Sequence, residues 1–74
     1  MVKEVVPMKK DSVAAELSYL RSKVHNGRHV HLAANITATL YLILNFADDD
    51  GVIPEKFHDK VNEQLKELRR LSFR

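Results

Sequence analysis

Cysteine is absent from this 74-residue sequence, which removes disulfides and thiolate metal ligands as ways of stapling a small fold. Its absence fits a reducing compartment, and a cytoplasmic location is the expectation. Glycine and proline are scarce, two of each. Together with 45% hydrophobic and 30% charged residues, that scarcity excludes a low-complexity or disordered polymer and suits a globular helical protein. An excess of one charge is missing too: 12 basic and 10 acidic residues leave a net charge of +2, too balanced by itself to imply nucleic acid. The first ten residues, MVKEVVPMKK, include an acid and no apolar core of about 7–15 residues, so they do not read as a secretory signal.

Catalytic signatures are also lacking. Ser12, Ser18, Ser22, Ser72 and four histidines are available, but there is no nucleophile elbow and no glycine-rich phosphate loop. The chain is too small to build a water-excluding cleft easily. The expectation is a non-enzymatic protein with no catalytic residues, no cofactor, no metal and no evident small-molecule substrate.

What the chain does have is a segment without any formally charged side chain, residues 30–47, VHLAANITATLYLILNFA. At 100° per residue, Leu32, Ala33, Ile36, Leu40, Ile43, Leu44 and Ala47 fill one broad arc, which Val30, Ala34 and Tyr41 extend. The opposite arc interleaves His31, Asn35, Thr39 and Asn45 with Ala38, Leu42 and Phe46. By length the segment approaches a membrane span, but its two Asn, one His and two Thr make insertion unfavourable. No membrane association is expected.

Two other helices are expected. Val13, Leu17, Leu20 and Val24 form one stripe with Asp11 or Ser12 as N-cap, giving a helix over 12–25. Glu16, Tyr19 and Lys23 lie on its other side, and Asn26-Gly27 supplies residues that tolerate positive φ at its end. Phe57, Val61, Leu65, Leu68 and Leu71 form a third stripe over 54–71, with Pro54 at the first position and Glu55 in the first turn. Lys56, Lys60, Glu63, Glu67 and Arg70 stay in water. The central helix covers 29–47 and ends at Asp48, Asp49, Asp50 and Gly51, where three carboxylates oppose the helix dipole and the chain turns. Asn-Gly is also a hairpin signal, but such a turn sets Val24 against His29 and Lys23 against Val30, which gives neither face an apolar set.

Residues 1–10 read as an extended arm or short edge strand, because Val2, Val5 and Val6 favour strand geometry and Pro7 disfavours helix before it. The fold class is therefore all-α: a three-helix bundle, or a helical hairpin plus a third helix, occupying 11–74 as one domain behind the arm. Sequential helices joined by short connections pack antiparallel. Two outer stripes cover the strong arc of the central helix but not Ala38, Leu42 and Phe46. A two-fold dimer with central helices facing one another covers these, with Asn35 and Asn45 paired across it to fix the register.

Two clusters invite chemistry and fall short of it. Asp48, Asp50, Gly51 and Ile53 match positions within an EF-hand loop, but its first and last ligand positions fall on Phe46 and Phe57, which carry no oxygen ligand. His25 and His29 have metal-binding helical spacing, yet Asn26-Gly27 interrupts the helix, and His31 points elsewhere. The surfaces that remain are for macromolecules. A protein partner is expected on Ala38, Leu42 and Phe46, or on the arm residues Val2, Val5, Val6 and Met8 through strand addition, or on the exposed side of the third helix. Arg21, Lys23, Arg28, His29 and His31 gather near the N-terminal end of the central helix, where anions are favoured. With Arg69 and Arg70 they support the alternative of a small DNA-associated transcriptional regulator.

Overall fold

A computed structural model describes residues 7–25 and 27–73. Three helices follow in order, α1 (Lys10–Ser22), α2 (Gly27–Leu44) and α3 (His58–Ser72), the last entered through a 3-10 turn at Glu55–Phe57. The all-α class holds. The hairpin alternative does not, because Ser22 closes α1 and Arg28 to His31 lie within α2. A helical course buries Val13, Leu17 and Leu20 from α1 and Ala33 and Ile36 from α2, whereas the hairpin had no apolar face to bury.

The helix ends differ from expectation by a few residues, each for a local reason. Helix α1 begins at Lys10 behind an extended Lys9 (φ −89°, ψ 133°), and no side chain caps it. Asp11 sits in the first turn, where its negative charge complements the positive end of the helix dipole, and is not the N-cap. The helix stops at Ser22, whose hydroxyl donates to the Tyr19 carbonyl at 2.6 Å. Val24 leaves the helix yet remains buried, so the fourth member of the stripe reaches the core from the loop. Gly27 opens α2 with an ordinary backbone; among the described residues Gly51 alone has a positive φ, 75°. Asn26 lies outside the described residues. At the other end, α2 finishes at Leu44, and Pro54 precedes the 3-10 turn in extended backbone (φ −54°, ψ 140°), not the first turn of α3.

The core joins all three stripes: Leu17, Leu40, Ile53, Val61 and Leu68 are its largest fully enclosed side chains, each worth roughly 1.5–3 kcal/mol on transfer from water. Helix α3 contributes Val61, Leu65, Leu68 and Leu71 as expected, with Phe57 half-buried at its edge. Polar atoms are accounted for as well, since among the described residues no buried side-chain nitrogen or oxygen lacks a partner. Ser72 shows how. Its hydroxyl lies 2.8 Å from the Leu20 carbonyl and 2.7 Å from the Leu68 carbonyl, tying the C-terminal ends of α1 and α3 together.

The second connection, residues 45–57, is longer than a tight helix–helix turn and is organised by Asp48. Its Oδ1 accepts from the backbone N–H of Asp50 at 2.9 Å and of Val52 at 3.0 Å, while its carbonyl accepts from Gly51 at 2.9 Å. The side chain mimics a backbone turn, as aspartate does in such loops. This loop then clips the start of the described chain. Ile53 N–H donates to the Met8 carbonyl and Lys10 N–H to the Gly51 carbonyl, both at 2.8 Å, and Lys9 and Val52 form an isolated antiparallel bridge. Of the arm expected over 1–10, the described residues show a single bridging residue, Lys9, and Met8 packs against the core. Val2, Val5 and Val6 lie outside the described residues.

Candidate interaction surface

The antiparallel course of the helices sets what α2 shows to the outside. Helices α1 and α3 flank it and enclose Ala33, Ile36, Leu40 and Ile43. Two flanking helices cover less of its circumference than the apolar arc spans. Leu32, at one edge of that arc, is therefore 50% exposed, and Tyr41, at the other, 51%; Ala34 is exposed too. These three were expected to be interior. They join Ala38, Leu42 and Phe46 on the open side, where Leu42 and Phe46 are 64% and 61% exposed.

This face is unusual in what it omits. From Leu32 to Phe46 no side chain carries a formal charge. Its threonines add little polarity, because Thr37 donates to the Ala33 carbonyl at 2.7 Å and Thr39 to the Asn35 carbonyl at 3.1 Å, within the helix. Asn35 and Asn45 are its remaining polar side chains, with His31 at the N-terminal edge. Phe46 is partly supported from below: its ring stacks on Phe57 at 5.1 Å between centroids with an interplanar angle of 35°, and the Lys56 ammonium lies 5.2 Å from the Phe57 ring centre. The aromatic pair fixes the far end of the face. Scattered apolar groups are ordinary on a protein surface, whereas a contiguous uncharged patch along one helix marks an interaction site.

Lys9 and Lys10 stand by the turn at 48–51 and Lys56 by Phe57 at one pole, whereas seven basic or imidazole side chains gather at the other. The C-terminal end of α1, the N-terminal end of α2 and the C-terminal end of α3 meet there, bringing Arg21 and Lys23, then Arg28, His29 and His31, together with Arg69 and Arg70. Much of this charge is already engaged. Arg69 pairs with Glu16 across the α1–α3 seam, Arg70 with Glu67 on its own helix, and Lys23 lies over the Tyr19 ring at 5.2 Å. His29 is half-buried, while His25 and His31 are exposed. A shallow open depression on α3 is lined by Glu63, Lys66, Glu67, Arg69 and Arg70, the mixed charges of a solvated helix face.

Among the described residues no group of three or more His, Cys, Asp or Glu side chains is arranged to hold a metal ion. The Asp48 carboxylate spends one oxygen on its own turn, a role readable from the Asp-rich run ending in Gly51 but easily mistaken for a ligand set. No helix among the described residues is long and apolar enough to cross a membrane. Comparison with family models, with curated proteins and with solved structures found no match.

Proposed function

We propose that this is a small non-enzymatic helical protein of the cytoplasm that binds and modulates another macromolecule, a protein, and that it works as a homodimer. The uncharged, apolar outward face of α2 carries this reading. Four large side chains on it are at least half exposed, and an isolated domain this small gains nothing from presenting them to water. Ala38, Leu42 and Phe46 lie at its centre and end, and its two threonine hydroxyls are satisfied within the helix. Neutral apolar surface of this kind suits a second copy of the chain, since interface centres are depleted in charge, and leaves the modulated protein to be met on another surface. The arm residues Val2, Val5 and Val6 offer a second contact through strand addition.

The test uses the intact chain and its Leu42→Asp variant. Light scattering after size exclusion, across a hundredfold range of concentration and at two salt levels, should give a dimer for the former and a monomer for the latter. Circular dichroism should show the same helix content, since Leu42 is outside the core. Equal mass and equal stability for the two proteins would remove the α2 face from consideration.

The clustering of Arg21, Lys23, Arg28, Arg69 and Arg70 at one pole supports a second reading, a DNA-associated regulator. Opposing it, two of those arginines are ion-paired with Glu16 and Glu67. A salt-dependent gel shift on duplex and single-stranded DNA decides it, and no shift at low salt would end it.

A further inference from the structure

The outward residues of α2, together with Asn45 just past its end, whose N–H still donates to the Tyr41 carbonyl at 3.2 Å, repeat at the spacing of a helix–helix seam. His31, Asn35, Ala38, Leu42 and Asn45 follow one another at intervals of four, three, four and three, the alternation that keeps one stripe facing a partner helix. All five are exposed. We infer that α2 pairs with α2 of a second copy in antiparallel orientation, about a two-fold axis midway between Ala38 and Leu42. This rests on the dimeric reading above and specifies its geometry.

Three observations select that occupant and that direction. The first is size matching. An axis at this point sets Leu42 on the partner's Ala38, brings Phe46 to the partner's Ala34, and joins Asn35 to the partner's Asn45. Leu42 and Phe46 each meet a small side chain, and the amides of Asn35 and Asn45 meet each other, where their mutual hydrogen bonds fix the register.

The second is charge. Helix α2 has no acidic residue in its first turn and no basic residue in its last. Arg28, His29 and His31 stand at its N-terminal end, and Asp48, Asp49 and Asp50 follow its C-terminal end, in a turn that Lys9 and Lys10 also flank. Antiparallel pairing lays the basic end of each copy beside the acidic turn of the other. A parallel pair would set three carboxylates against three and align the helix dipoles unfavourably.

The third is area. Aromatic side chains present on the order of 200 Å² each, so Tyr41 and Phe46 at about half exposure supply roughly 200 Å², to which Leu42 and Leu32 add, toward the ~800 Å² per partner of a standard interface. The alanine, amide and terminal charged residues flanking them extend the patch. An uncharged seam between complementary charged ends is what a self-associating surface requires, because a two-fold brings every group opposite a fixed partner of the same chain.

Because the chain has no cysteine, single introduced thiols report the pairing cleanly. Asn35→Cys and Asn45→Cys proteins, each confirmed folded by circular dichroism and sized by light scattering, are oxidised separately and as a mixture. Alone, neither should cross-link. Ten residues of helix offset separate the two copies of position 35, about 15 Å along the axis, beyond the ~7 Å reach of a disulfide. Mixed, up to half of the chains should link, because position 35 meets position 45 of the partner. Cross-linking of Asn35→Cys by itself would show parallel pairing and overturn the inference. A dimer that links in neither sample would place the interface elsewhere, leaving the dimeric reading intact while ending this geometry. A monomer at every concentration would end both.

Discussion

At the scale of single residues, the two glycines do opposite things. Gly51 has a φ of 75°, where an L side chain is strained, and its carbonyl accepts the hydrogen bond that starts α1. Gly51→Ala should therefore cost about 1–2 kcal/mol in urea unfolding. The strain is in the backbone, since an added methyl group meets only the Lys10 side chain at ordinary contact distance. Gly27, in the first turn of α2, has open space around a would-be Cβ and no positive φ. Gly27→Ala should raise stability by about 0.4–1 kcal/mol by narrowing the unfolded ensemble. A loss at position 27, or no loss at position 51, would contradict these backbone assignments. Ser72 is a third case: removing its hydroxyl leaves a buried junction between Leu20 and Leu68 without its tie, so Ser72→Ala should destabilise by about 1 kcal/mol.

At the scale of elements, the helices were legible because each buries one stripe whose period can be read directly. Val13, Leu17 and Leu20, or Val61, Leu65, Leu68 and Leu71, need no tertiary information to be placed on one face. Their ends were less legible. Val24 continues the stripe of α1 in sequence but reaches the core from a loop, and Lys9 precedes α1 without the capping side chain that Asp11 or Ser12 promised. The Asp48 turn and its clip onto Met8 were invisible as a unit, because the hydrogen bonds joining Ile53 to Met8 and Lys10 to Gly51 connect segments more than forty residues apart. That clip makes a prediction about the N-terminal segment. Removing residues 1–8 takes away the Met8 carbonyl and its packing on the core, and should lower stability by about 1–3 kcal/mol. Removing residues 1–6 leaves both in place. If the two truncations unfold at the same urea midpoint, Met8 contributes nothing and the clip is incidental.

For the whole molecule, the decisive feature is that three helices of this length cannot enclose the apolar circumference of the middle one. The sequence pattern already placed Ala38, Leu42 and Phe46 outside. It placed Leu32, Ala34 and Tyr41 inside, because a helical wheel shows the width of an apolar arc but not how much of that arc two neighbours can cover. The structure widens the open face, and with it the drive to associate. For the proposed homodimer, folding and assembly form one coupled equilibrium, so the thermal midpoint depends on concentration. A hundredfold rise in chain concentration stabilises a dimer by about 1.4 kcal/mol per chain, and a domain of this size shifts by roughly 4–8 °C per kcal/mol. The midpoint of the intact protein should therefore climb by about 5–10 °C over that range. Leu42→Asp puts a carboxylate at the centre of the seam, where a partner would have to desolvate it. Its midpoint should lie lower and stay constant with concentration. A concentration-independent midpoint for the intact chain, with Leu42→Asp equally stable, would mean that the bundle tolerates its open face in water and that the self-association built on it does not occur.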